Sequence, residues 1–140
     1  MKHKAIQTVA RLRRLALDDA SQALSRALAA ESAAAARAEE AARQIAQEAT
    51  AASSLTGDDA MVEAFAAWLP GARRHAAEAR EACERASAEV ARLRAVLTAS
   101  RAACEAVETL LAQRKDAQAK ERDRRSQAEL DEAGRQSGPR

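Results

Sequence analysis

Apolar residues recur along this chain at intervals of seven. With Val62 at heptad position a, the later a positions are Leu69, Ala76, Cys83, Val90, Leu97, Cys104 and Leu111. The matching d positions are Phe65, Ala72, Ala79, Ala86, Leu93, Ser100, Val107 and Arg114. Every a site is apolar, and so are six of the first seven d sites. A repeat sustained this long predicts a coiled coil rather than one helix of a globular core. Upstream the pattern is thinner: Ala10, Leu17, Leu24, Glu31, Ala38, Ile45 and Ala52 repeat every seven, with Ala20, Ala27, Ala34 and Ala41 three residues after four of them.

Two places interrupt the pattern. Ser53-Ser54-Leu55-Thr56-Gly57-Asp58-Asp59 combines a helix stop with capping residues, and Asp58 or Asp59 suits the N-cap of the next helix. Leu69-Pro70-Gly71 predicts either a kink or a new helix that starts at Pro70. The heptad register runs through Pro70, which favours the kink. The expected architecture is all-α, a two-helix antiparallel coiled-coil hairpin forming one domain over 1–140. Helix 1 is expected at about 5–53, a turn at 54–58, helix 2 at about 59–133 with a kink or break near 70, and a frayed tail at 134–140. A turn centred near Thr56 sets residue i opposite residue 112 minus i, so helix 1 runs out of partner near residue 110. The seam ends at Leu111, after which Arg114, Gln118, Glu121 and Arg125 stand where apolar residues are needed. The segment 112–133 should therefore project as a polar helix, marginal in water until a partner orders it.

Composition narrows the function. Alanine supplies 41 of the 140 residues, whereas Leu, Ile, Val and Phe together supply 20. There is one Trp, one Phe and no Tyr, with four glycines. Strand-rich folds lack their β-branched and aromatic residues here, and doubly wound folds lack their glycine turns. Alanine is the best helix former, and net charge is only +2, which favours helix over disorder. An alanine seam lets two axes approach closely but buries little area. Pairs such as Glu39–Arg43, Glu81–Arg85, Asp116–Lys120 and Glu121–Arg125 are placed to decorate the outer faces.

Most chemistry is excluded. No Ser/His/Asp set, phosphate loop or metal cluster is present, and a two-helix rod has no pocket, so an enzyme is not expected. No cofactor is expected. Cys83 and Cys104 lie ~31 Å apart on a continuous helix and cannot pair within the chain. They read as small core residues in a reducing compartment. No apolar run is long enough for a secretory signal or a membrane span. The first 17 residues are basic and acid-free, as in a mitochondrial transit peptide, but the helical pattern runs on without a cleavage-like break. Nucleic-acid binding is disfavoured by the near-neutral balance and by the distance of Phe65 and Trp68 from the basic end. The alanine stripe is too weak for a membrane surface.

Charge is nevertheless unevenly spread. Residues 1–14 carry five basic and no acidic side chains, and 112–140 carry eight basic and six acidic. The open end of the hairpin is thus about +7 and the rest −5. It is either a solvated cluster or a partner-binding end. Trp68, at position g, either covers the turn or stands exposed as an anchor for another protein.

Three stretches carry a family resemblance. They are Ile6-x-x-Val9-x-x-Leu12-Arg13-x-Leu15-x-Leu17-Asp18 with Ala20-x-x-Ala23-Leu24, then Phe65-x-x-Trp68-Leu69, and Glu108-x-Leu110-x-x-x-Arg114 through Gln127-x-Glu129-Leu130-Asp131-Glu132. Together they resemble the FliJ/YscO family of coiled-coil stalk proteins in flagellar and related type III export machines. Pro70-Gly71 and the heavy alanine content depart from a generic member. The resemblance implies a cytoplasmic protein, monomeric alone, similar to the central stalk of rotary ATPases and located at the inner-membrane export apparatus. It implies binding to a hexameric export ATPase through the paired terminal ends, to the cytoplasmic domain of an export gate, and to export chaperones. On that reading Arg11, Arg13, Arg14, Arg122, Arg124 and Arg125 face the ATPase, and Phe65, Trp68, Leu69 and Ala72 face the gate. The alternative is an alanine-rich protective or granule-coating protein, like a hydrophilin or phasin, with no export role.

Overall fold

The computed structural model describes residues 2–54 and 58–138, which form two helices. Helix α1 spans Lys2–Ser54, 53 residues, and helix α2 spans Asp59–Gln136, 78 residues. No strand occurs among the described residues, and the fold is an all-α helical hairpin. Both helices run longer than the periodicity predicts, because alanine keeps the ends helical where the seam has stopped.

The ends follow from local chemistry. Asp58 is non-helical, and its carbonyl accepts from the backbone N–H groups of Met61 and Val62 at 3.2 and 3.4 Å. It therefore stands at the N-cap, with Asp59 in the first turn, where a carboxylate complements the helix dipole. At the other end of α2, the Ser137 backbone N–H and hydroxyl both donate to the Ala133 carbonyl, at 3.1 and 2.8 Å. The last carbonyls of α1 accept from side chains: Ser53 Oγ donates to Thr50 and Ser54 Oγ to Ala51. Most of the expected turn falls on residues 55–57, outside the described residues.

Helix α2 continues through Pro70. No second helix begins there. Leu69 and Ala72, on either side, both stay half-buried in the seam, so the packing surface is unbroken where one backbone hydrogen bond is missing.

The chain divides into two compact units. One is Asp19–Thr98. The other joins Met1–Asp18 to Ala99–Arg140. In the 19–98 unit the buried residues are Ala20, Ala34, Ala41, Val90, Leu93 and Leu97. In the terminal unit they are Ala10 and Cys104. All of these sit at seam positions of the heptads. The buried residues of α1 are all alanine and those of α2 are Val90, Leu93, Leu97 and Cys104, so the core is one side chain thick.

Register differs from the simple mirror about Thr56. Glu31 accepts from Ser87 Oγ at 2.9 Å within the 19–98 unit. Arg14 Nε donates to Glu108 Oε1 at 3.0 Å within the terminal unit. Facing residues thus number 118 to 122 in sum rather than 112. α1 therefore finds partners further along α2, and Arg114 is half-buried rather than free. Beyond Glu121 every described residue of α2 is exposed. Val62, the first expected a position, is also exposed, because it lies in the first turns of α2 and the seam on α1 ends at half-buried Ala52.

Candidate partner-binding surfaces

Heptad position decides which flank of each helix pair a residue occupies. In an antiparallel pair, e positions of the two helices meet along one side and g positions along the other. Arg14 and Glu108 are both e positions, and their bond marks that flank of the terminal unit. A groove beside it is lined by Gln7, Arg11, Arg14, Leu111 and Lys115. In the 19–98 unit the g flank carries a groove of about 330 Å³ lined by Arg37, Gln44, His75 and Ala82 among others.

The basic end is built from exposed arginines of the terminal unit. Arg11, Arg13 and Arg14 are all exposed, as are Arg122, Arg124 and Arg125. Their charges are not equally available. Arg14 is paired with Glu108, while Arg124 and Arg125 both pair with Glu121, at 3.0 and 3.2 Å. Arg11, Arg13 and Arg122 have no ion-pair partner among the described residues. The two triplets do not meet in one patch. Arg11 shares its groove with Lys115, about 10 Å along α2 before Arg122. The Arg14–Glu108 bond was readable from the shared e position once the register is known, but the mirror about Thr56 puts the two ten residues out of step.

The expected i,i+4 pairs form in part. Glu81–Arg85 closes at 4.0 Å, and Glu121–Arg125 is present. Arg43 turns instead to Glu40 at 3.0 Å, one residue closer than the expected Glu39. The tightest exposed pair is Arg92 with Glu89, which lowers the Glu89 carboxyl and raises Arg92 through their shared hydrogen bonds.

The aromatic patch lies in the 19–98 unit. Phe65, Leu69 and Ala72 are half-buried seam residues. Trp68, at position g, is 39% exposed, and its ring is tilted against Phe65 with centroids 5.9 Å apart. Both rings line a wide groove with Met61, Gln44, Gln47 and Ala51. The indole thus lies along the side of the helix pair, part of it open to solvent.

The remaining chemistry is spare. Both cysteines are free. Burial pushes the Cys104 thiol up, and the Glu108 carboxylate beside it, 3.8 Å from Sγ, adds to the effect. No cluster of potential metal ligands exists among the described residues, and none of their helices is long and apolar enough to cross a membrane.

The chain matches the family described as flagellar FliJ protein over residues 1–138. It belongs to the FliJ family. Membership makes it a component of the flagellar protein export apparatus, and its helical hairpin is the form in which that component is built here. No curated protein and no solved structure matches the chain. The three stretches that resemble the family all lie inside the matched span, including the charged run to Glu132.

Proposed function

We propose that this FliJ-family chain is a non-enzymatic stalk and adaptor of the flagellar export apparatus. It works in the cytoplasm at the inner-membrane face of the machine. Its terminal unit engages the hexameric export ATPase, and its aromatic patch engages the cytoplasmic domain of the export gate. Support for export chaperones belongs to the same role.

The observation that carries the reading is the charge of the terminal unit. Residues 1–18 and 99–140 hold fourteen basic and nine acidic side chains, a net +5, against −3 for the remainder. Long-range attraction of this kind speeds encounter with an acidic surface and weakens with salt. Of the six arginines assigned to the ATPase, Arg11, Arg13 and Arg122 have no ion-pair partner among the described residues. For the gate, Trp68 is the side chain with exposed aromatic surface, with Phe65 tilted against it and Leu69 and Ala72 half-buried in the seam nearby.

The test is binding of the full-length protein to a purified flagellar export ATPase at two salt concentrations. Arg11→Glu, Arg13→Glu and Arg122→Glu together should weaken binding at least ~10-fold at low salt, and less at high salt. Unchanged binding would remove the ATPase assignment. Trp68→Ala with undiminished gate binding would remove the gate assignment and leave the first intact.

A further inference from the structure

The terminal unit carries a second apolar face that the helix pairing does not use. On α1, positions c, f and g between residues 5 and 16 are Ala5, Thr8, Val9, Leu12, Leu15 and Ala16, without a charge among them. On α2 the same three positions from Ala99 to Gln113 are also uncharged, with Leu110 the largest. Every charge in these two stretches falls at another heptad position. The Arg14–Glu108 bond fixes the e flank, so the two g columns flank each other on the opposite side. The same columns share a groove in the 19–98 unit, where Arg37 and Ala82, and Gln44 and His75, number 119 in sum. Val9 with Leu110, and Ala16 with Ala103, have that same sum. The large side chains are open to solvent: Val9 is 42%, Leu12 60%, Leu15 54% and Leu110 43% exposed.

We infer that this face docks a single amphipathic helix of another protein, one whose apolar stripe is bordered by Asp or Glu. Three features select that occupant. The α2 side is mostly alanine, which permits close approach of a third helix but offers lipid little apolar area. The face is edged by cations that lack partners among the described residues. Arg11 lies one turn from Leu15 on the outer edge, and Arg13 lies one turn from Val9 on the edge toward α2. A helix seated between them must bring carboxylates, or it leaves both guanidinium groups beside an apolar contact. A second copy brings the opposite of what is needed, since each terminal unit is +5.

The face shares Arg11 and Arg13 with the ATPase reading, but its test contains no ATPase, so the two fail separately. The probe is a fluorescein-labelled synthetic helix of about 21 residues, one 30 Å segment, with Leu and Ala on one face and Glu along both borders. A control peptide carries Lys in place of every Glu. Fluorescence anisotropy with the full-length protein should show the Glu peptide binding at least ~10-fold more tightly than the Lys peptide. Leu12→Gln with Leu110→Gln, both outside the seam, should abolish that binding with helicity unchanged. Arg13→Glu should reduce or reverse the preference for the acidic peptide. Equal affinity for the two peptides, or full binding by the Leu12→Gln/Leu110→Gln protein, would overturn the inference. So would a dimer in sedimentation equilibrium that Leu110→Gln dissolves, which gives the face to a second copy. Binding to anionic phosphatidylglycerol vesicles that Leu12→Gln abolishes would overturn it in favour of lipid.

Discussion

Arg14 and Glu108 lie 94 residues apart in sequence and share a 3.0 Å hydrogen bond across the terminal unit. Both side chains remain largely exposed, so the pair contributes ~0.2–1 kcal/mol and not more. Arg14→Glu alone places two carboxylates face to face and should lower the melting temperature slightly. The exchange Arg14→Glu with Glu108→Arg should restore it. If the exchange also restores the proposed binding to an export ATPase, Arg14 acts in it through the pair; if that binding stays low while stability recovers, Arg14 acts in it directly.

The seam predicts a sharp contrast between two leucines. Leu97 is buried in the 19–98 unit, whereas Leu12 is exposed. Leu97→Ala should cost ~2–3 kcal/mol, because a seam one side chain thick has little to collapse into the gap. Leu12→Ala should change stability by less than ~0.5 kcal/mol. Urea denaturation monitored by far-ultraviolet circular dichroism measures both.

Pro70 sits inside an unbroken helix and removes one of its hydrogen bonds. Pro70→Ala should stabilise the protein by ~1–3 kcal/mol and raise its helix signal. Loss of stability in that variant would mean that the proline's fixed backbone is needed to keep Leu69 and Ala72 in the seam.

Cysteine reactivity provides a local probe. Cys104 is buried with a raised thiol, and Cys83 is half-buried. Alkylation by iodoacetamide at neutral pH should therefore label Cys83 first, since the thiolate is the reactive form. The raised thiol also has a pH consequence. Its stabilisation is fully present below the unfolded-state value and is lost as pH rises through the folded-state value. Cys104→Ala should flatten the alkaline limb of the stability profile, read from melting temperature between neutral pH and the alkaline range. An alkaline limb as steep as that of the parent protein would count against this.

The heptads made most of the fold legible. Val90, Leu93, Leu97 and Cys104 were readable as core because one large side chain per turn leaves no competing stripe on that part of α2. Register was harder. An alanine column looks the same after a slip of seven, so the mirror about Thr56 placed the helices six to ten residues out of step. The polar bonds at Glu31 and Arg14 that settle it depend on the pairing itself. The arginines of the basic end were visible as sequence, but which of them keep a free charge was not. Arg124 and Arg125 converge on one Glu121, and sequence spacing alone suggested only the second of those pairs. Trp68 was readable as an off-seam aromatic, and only the structure tilts it against Phe65 while leaving it partly exposed.

The bond from Ser87 to Glu31 has a mechanical consequence. It and the Arg14–Glu108 bond are the cross-helix side-chain hydrogen bonds among the described residues, one in each unit. Between them α2 contributes the buried Val90, Leu93, Leu97 and Cys104, large enough side chains to resist sliding of one helix along the other. The two bonds act as index pins on that seam. Each is exposed and weak enough to break and reform without unfolding its helices. An axial pull on one helix end would therefore load these two bonds first and the apolar seam after them.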